Sequence, residues 1–455
     1  MSQTLAFQYV LTPTGIARDM RISMDDAGKI VALEQVNHGP KDGFFALPGM
    51  PNAHSHAFQR ALAGQGEARV GADTFWSWRE AMYALANRVT AKDMRAIAAQ
   101  AFADMLRGGF TSVAEFHYLH HLPSGRPSPA MAQAVLDAAD EVGIRIVLLP
   151  VFYMTGGFAR AGAEPGARPE QRRFVHRDID EFCRLLERFA SRPCGLAPHS
   201  LRAVPPRLLH PLLEGATSVL GKDFPIHMHI AEQPREVDDC RNAFGLTPVD
   251  LLAETVSLND RWNLVHATHV SRSELEVMAR IGVNAVLCPL TEAYLGDGIF
   301  PAADFVRLRG RIAIGSDSNA RIDAVEELRL LEYGQRLSDG MRARLASEEG
   351  IGAPIWRLTA AAGARALAQP VGAIERGRYA DLVVLDEAHP ALLGVAPERM
   401  LDALITGGDA RCIRDVYVGG RRLVQNGKVA NGRRIGTRFA RAMRTLWPNE
   451  LESAA

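Results

Sequence analysis

Short apolar runs recur along the chain, and from residue 46 onward most of them give way to stretches with apolar positions at helical spacing. The strand-like runs are 46–54, 111–118, 144–152, 194–200, 224–232, 262–269, 283–289 and 311–317. Between them, 90–109 starts at a Thr N-cap and ends at Gly, and 128–143, 178–190, 271–282 and 324–337 follow the same logic. Eight βα units in one chain predict an α/β fold of the (β/α)8 barrel type. An open doubly wound sheet has the same alternation, but no GxGxxG follows the first strand. Before residue 46 the runs FQYVL, MRISM and KIVAL are separated by turns, and after 370 short β runs return at 379–386 and 412–429. Neither terminal set makes a stable sheet alone, so the two are expected to pair into a small β-sandwich domain beside the barrel. The expected division is 1–48 and 371–430 for that domain, 49–370 for the barrel and 431–455 for a C-terminal helix and tail. Residues 156–173, rich in Gly, Pro and Arg, are expected to loop over the barrel mouth.

Composition narrows the classes. The 455 residues carry 52 basic and 52 acidic side chains, which argues against a nucleic-acid partner. No apolar stretch approaches the ~20 residues of a membrane span, and the first residues lack a secretory pattern. Cys183, Cys194, Cys240, Cys288 and Cys412 are odd in number without CxxC spacing. A disulfide framework is not expected, and a reducing cytoplasm is.

Six chemically able residues fall at or near the predicted strand ends: His54, His56, His199, His229, His266 and Asp317. In a barrel those ends converge on one mouth. His54 and His56 are two apart on an extended chain, so both imidazoles face one side. Imidazoles with one carboxylate suit one divalent ion of the zinc type. Three His and one Asp leave room for a water, whose pKa such an ion lowers from ~15.7 to about 7.

PNAHSH, HIAE (229–232), the His266 strand, GSDSN (315–319) and VGAIERGRYADLVVLD (371–386) resemble the amidohydrolase superfamily, over about residues 28 to 430. Some members hold two metals bridged by a carboxylated lysine after strand 4. Here that position reads APHS, and Lys29, Lys41, Lys92, Lys222 and Lys428 all lie away from strand C-terminal ends. The resemblance therefore implies the single-metal branch, which includes deaminases. It implies His54, His56, His229 and Asp317 as ligands and Glu232, three residues after His229, as proton shuttle. His227 shares a face with His229 and is expected one layer deeper, as a hydrogen-bonded core residue. Superfamily members are often dimers, which makes a homodimer an expectation by analogy.

A set of longer strings is similar to the N-formimino-L-glutamate deiminases: HAFQRALAG (56–64), FWSWREAMY (75–83), EFHYLHH (115–121), APHSLRAV (197–204), HIAEQPREVDDC (229–240) and ATHV (267–270). This resemblance implies substrate contacts from Gln59, Tyr118, His199 and Arg202. It implies hydrolysis of a small dicarboxylate with a formimino carbon, releasing ammonia. Carboxylates call for Arg, and Arg79 is a second candidate beside Arg202. The roles expected on this reading are Asp317 taking a proton from the attacking water, His266 stabilising developing charge and Glu232 passing a proton to the leaving nitrogen. The competing reading is a deaminase of a nucleobase or S-adenosylhomocysteine on the same barrel. Plainer roles also exist: Tyr118 as packing, Arg79 as a surface charge, Cys288 as an inert buried thiol, and His117, His120 and His121 as an exposed loop.

Overall fold

The computed structural model describes residues 3–36, 38–65, 67, 75–158 and 165–448. Its strands are β1 (Gln3–Thr12), β2 (Gly15–Met24), β3 (Ile30–Gln35), β4 (Gly43–Pro48), β5 (Met50–Ser55), β6 (Phe110–His117), β7 (Arg145–Phe152) and β8 (Ala197–Pro198). They continue with β9 (Ile226–Ile230), β10 (Trp262–His266), β11 (Asn284–Leu287), β12 (Arg311–Ile314), β13 (Leu382–Leu385), β14 (Ile413–Val418), β15 (Arg421–Gln425) and β16 (Lys428–Val429). β5 to β12 pair parallel in chain order as two four-stranded sheets, β5–β8 and β9–β12. Parallel bridges Leu196–Ile226 and Ser55–Asp317 join the two sheets at both edges and close the barrel. The expected single run 46–54 breaks at Gly49 into β4, which pairs with the terminal strands, and β5 of the barrel. The expected strand 194–200 is reduced to Ala197–Pro198, with Cys194 and Leu196 joined to their neighbours only by single bridges.

The terminal strands form one eight-stranded sheet in the order β16-β15-β14-β13-β4-β1-β2-β3. β4 lies parallel to β1 and antiparallel to β13, so both ends of the chain meet on it. Phe7, Val10, Ile22, Met24, Leu382, Val384 and Tyr417 build a second apolar core there, apart from the barrel's.

Local chemistry explains the helices that follow the strands. Ala91–Arg107 is capped by Thr90 with Asp93 returning the bond, and Arg272–Ile281 by Ser271 with Glu274. Asp178 and Asp323 cap Ile179–Phe189 and Ala324–Asp339. Gly143 and Gly282 end their helices in the left-handed region. Helices Leu209–Leu220, Pro234–Phe244 and Gly352–Ala366 add to those expected from spacing. The C-terminal helix runs Gly432–Leu446, while residues 449–455 of the expected tail lie outside the described residues. So do 159–164 of the expected mouth loop. Its first residue, Gly156, lines the barrel cavity, and Thr155 bridges to Gly166.

Candidate active site

The seam where β12 meets β5 builds the centre of the mouth. Asp317 N–H donates to the His54 carbonyl at 3.0 Å, and His56 N–H donates to the Asp317 carbonyl at 2.9 Å. Beneath it, Asn52 Nδ2–H donates to Ser316 Oγ, Ser316 Oγ–H to Asn319 Oδ1, and Asn319 Nδ2–H to Ser55 Oγ. This buried polar weld sets the height of Asp317 against His54 and His56. Gly315 allows the approach, since a Cβ there would lie 2.7 Å from the His54 carbonyl oxygen. Ala231, His266, Ala267, Asp317 and Asn319 all have left-handed backbone, at φ from +42° to +67°. Such residues cost about 1–3 kcal/mol each and persist where surrounding packing holds them. Here they cluster where strands end at the mouth.

His54 Nε2 lies 3.2 Å from His56 Nε2, 3.1 Å from His229 Nε2 and 3.4 Å from Asp317 Oδ1. His56 Nε2 is 3.2 Å from the same carboxylate oxygen. All four residues are buried. His56 Nδ1–H donates to the Phe116 carbonyl at 2.9 Å and His229 Nδ1–H to the His199 carbonyl at 3.1 Å. Those bonds fix the tautomers and leave Nε2 as a lone-pair donor, the arrangement that orients metal-ligating imidazoles. Burial lowers the pKa of His54 to about 3 and that of His229 well below its usual range, so both are neutral at neutral pH. Burial opposes ionisation of Asp317, but the hydrogen bond to His54 and the charges of His56 and His266 hold its pKa below the carboxylate range. Converging imidazole lone pairs and a carboxylate repel one another unless a cation sits among them. The donor set thus fits a divalent metal.

Beside this cluster stand His266, Glu232 and Arg202. His266 Nε2 is 3.8 Å from Glu232 Oε1 and 3.9 Å from Asp317 Oδ2. Burial disfavours its charge, but Glu232, Glu292 and Asp317 outweigh that and raise its pKa to about 10. Glu232 itself is pushed up by burial, against the pull of His266 and Arg202. Arg202 reaches Glu232 at 3.4 Å and Glu236 at 3.5 Å. The cavity over the cluster, about 720 Å³ to its open mouth, is lined by Gln59, Arg79, Tyr118, His199 and Arg202. Gln59 Nε2–H donates to Tyr118 Oη at 2.6 Å. Burial lowers the Arg79 pKa, with the nearby Arg202 charge adding to the effect.

The structure brings every residue named above as ligand, proton carrier or substrate contact into this one mouth. His227 lies below, donating Nε2–H to the Ala366 carbonyl at 2.8 Å. The expectation for the histidine loop was wrong. His117, His120 and His121 are buried, joined by His176, and Nε2–H of His120 and His121 donate to the carbonyls of Val151 and Val175. The reason is that β6 runs on to His117, and the N–H groups of His120 and His121 then donate to the Arg173 carbonyl while Tyr118 packs on Phe174. Cys288 is buried as expected, yet its thiol shares a cluster with His266 and Asp317. Sequence reasoning missed Glu236 and Glu292, both buried beside the site. The first sits four residues after Glu232, in the first turn of the helix Pro234–Phe244. The second sits four residues after Cys288, at the start of the helix that leaves β11.

Eight parallel strands closed around a His/Asp cluster at their C-terminal mouth define a metal-dependent hydrolase barrel. The chain matches the amidohydrolase family model over residues 45–423 and belongs to that family. It is 42% identical to the formimidoylglutamate deiminase of Pseudomonas aeruginosa, over 96% of this chain and 98% of that protein. It is 28% identical to a 5-methylthioadenosine/S-adenosylhomocysteine deaminase of Natronomonas pharaonis, over 92% of each. Among solved structures, an amidohydrolase from Brucella melitensis superposes at a TM-score of 0.89 with 39% identity, covering 98% of this chain and 99% of that one. A zinc-bound adenosine deaminase from Xanthomonas campestris shares the fold at a TM-score of 0.79 and 22% identity, over 97% and 98%. No helix among the described residues is long and apolar enough to cross a membrane.

Proposed function

We propose that this chain hydrolyses N-formimino-L-glutamate to N-formyl-L-glutamate and ammonia, a step of histidine degradation. The observation that carries it is a pair of guanidinium groups, Arg79 and Arg202, on the wall of one cavity above the His/Asp cluster. Arg202 also pairs with Glu232 and Glu236, yet both guanidiniums line the cavity, and a dicarboxylate offers each of them a bidentate acceptor. A neutral nucleobase does not. The extent of the likeness to the Pseudomonas aeruginosa deiminase supports the same reading.

In this proposal His54, His56, His229 and Asp317 hold one zinc ion per chain, which when bound supplies the Lewis acidity that makes water nucleophilic at neutral pH. Arg202 and Arg79 take the two carboxylates. Gln59, Tyr118 and His199 hydrogen-bond the substrate so that its formimino carbon faces the cluster. Asp317 Oδ2 accepts a proton from the attacking water. Nε2–H of His266, between Asp317 and Glu232, stabilises the charge that develops as the carbon becomes tetrahedral. Glu232, protonated at the outset, delivers its proton from Oε1 to the leaving nitrogen and takes the remaining hydroxyl proton as the C–N bond breaks and the formyl C=O forms, and ammonia departs as ammonium with the proton held by Asp317. The proposal keeps the divisions 1–48, 49–370, 371–430 and 431–455, a cytoplasmic setting, no nucleic-acid or membrane partner, and a homodimer.

The test is ammonia release from N-formimino-L-glutamate by metal-analysed protein, with S-adenosylhomocysteine and guanine alongside. Rapid release from the first at about one zinc per chain is the expected outcome. Metal-loaded protein that leaves it intact while deaminating either of the others would overturn the proposal.

A further inference from the structure

We propose that Glu292 is the positioning residue for His266, accepting its Nδ1–H and thereby turning Nε2 toward the reacting carbon. The kinetic consequence rests on the deiminase reading above, whereas the geometry does not. A ring at the end of a strand has two flips, and something must choose between them. On the Nε2 side of His266, Glu232 and Asp317 stand at 3.8 and 3.9 Å, beyond hydrogen-bond distance. That side makes no hydrogen bond among the described residues and lines the cavity. On the other side Glu292 Oε1 lies 3.2 Å from Nδ1. A carboxylate oxygen accepts, so Nδ1 carries the proton in that contact.

Glu292 is itself held. The same oxygen accepts the Cys288 N–H at 2.9 Å, and the Glu292 carbonyl accepts the Asp297 N–H at 2.9 Å. Both anchors belong to the segment around the helix Pro289–Leu295, which begins directly after β11. The cavity wall includes His266 but not Glu292 behind it, so Glu292 acts on substrate only through the ring. The backbone of His266 is left-handed, as is that of Ala267, and the ring is 1% exposed. A ring on such a segment needs a fixed acceptor to keep its face. The arrangement is the carboxylate–imidazole pair that elsewhere sets tautomer and orientation in acid–base catalysis.

Three variants separate positioning from mere packing. In Glu292→Gln the Cys288 N–H still selects the amide oxygen, so Nδ1–H keeps its acceptor and only the charge is lost. In Glu292→Ala both are lost. We expect kcat per metal-loaded chain to fall about 10²-fold in Glu292→Ala and about tenfold in Glu292→Gln, with KM within about threefold of wild type. In a His266→Asn background, Glu292→Ala should cost less than about threefold more, since its route is already gone. ¹⁵N NMR of histidine-labelled protein reads the geometry without substrate: a hydrogen-bonded Nδ1–H resonance of His266 should persist in Glu292→Gln and vanish in Glu292→Ala. Wild-type kcat in Glu292→Ala, full additivity with His266→Asn, or an unaltered resonance would overturn the assignment. If the wild-type protein does not deiminate formiminoglutamate, the functional reading falls and the resonance alone decides the role of Glu292.

Discussion

Glu232 stands between the cation assigned to a substrate carboxylate and the imidazole assigned to the reacting carbon, 3.4 Å from Arg202 and 3.8 Å from His266. Glu232→Gln keeps the shape and removes the proton that moves. It should cost at least about 10²-fold in kcat, about 3 kcal/mol of transition-state stabilisation, with metal content unchanged. Steady-state rates with metal analysis of the same samples check this. Arg202→Met should act differently. It removes a charge-assisted contact worth about 1.5–3 kcal/mol and should lower kcat/KM some ten- to a hundredfold, chiefly through KM. It also strands buried Glu236, so the melting temperature should fall with it, and paired kinetic and thermal measurements separate the two effects. At this scale the sequence was most informative where one residue type can do only a few things. His54, His56, His229, His266 and Asp317 stood out because imidazoles at successive strand ends share a mouth. Glu236 and Glu292 did not, because a glutamate in the first turn of a helix looks the same whether it faces solvent or a buried ring.

Elements bring other residues to a fixed height. The β5–β12 seam depends on Gly315, where any side chain would push into the His54 backbone. Gly315→Ala should therefore misplace His54 relative to Asp317 and lose metal affinity as well as about 1–3 kcal/mol of stability, as read by metal titration and denaturant unfolding. The buried histidine group after β6 makes a second prediction. Burial lowers the pKa of His117 and His176 to about 3, with neighbouring His and Arg charges adding to it. Unfolded, these side chains take protons near pH 6.5. Between those values the unfolded chain binds more protons, so stability rises with pH, is complete above about 6.5 and is lost as pH falls toward 3. Each contributes up to about 1.4 kcal/mol per pH unit in that window. His176→Phe, stacked on Phe152, should flatten the acid limb of a stability–pH curve, and an unchanged limb would count against it. Alternating strands and capped helices were readable because period and cap are local. The inward turn of Tyr118–His121 was not, since it depends on carbonyls of Val151 and Val175 far along the chain.

On the scale of the whole molecule there are two apolar cores, and the candidate metal cluster packs against Phe116 of the barrel's. That the terminal strands must pair followed from their shortness, but their order about β4 could not be read, because a parallel partner and an antiparallel one place the same demand on alternation. The barrel's closure predicts what removal of the metal does. The barrel closes through backbone ladders and the Asn52–Ser316–Asn319–Ser55 bonds, none of which uses a ligand atom of the cluster. Chelated protein should therefore stay folded while losing activity, with its far-UV circular dichroism unchanged. It should still be less stable, because an ion bound only by the native state contributes about 4 kcal/mol at a thousandfold excess over its Kd. At an unfolding entropy of about 2.1 cal/mol/K per residue, a chain this long converts that into a fall of about 4 °C in Tm. Calorimetry before and after chelation, followed by zinc return, measures the difference. A fall of that size, reversed by zinc together with activity, places the ion in chemistry rather than in folding. Loss of secondary structure on chelation would mean that the cluster, and not the ladders, closes the barrel.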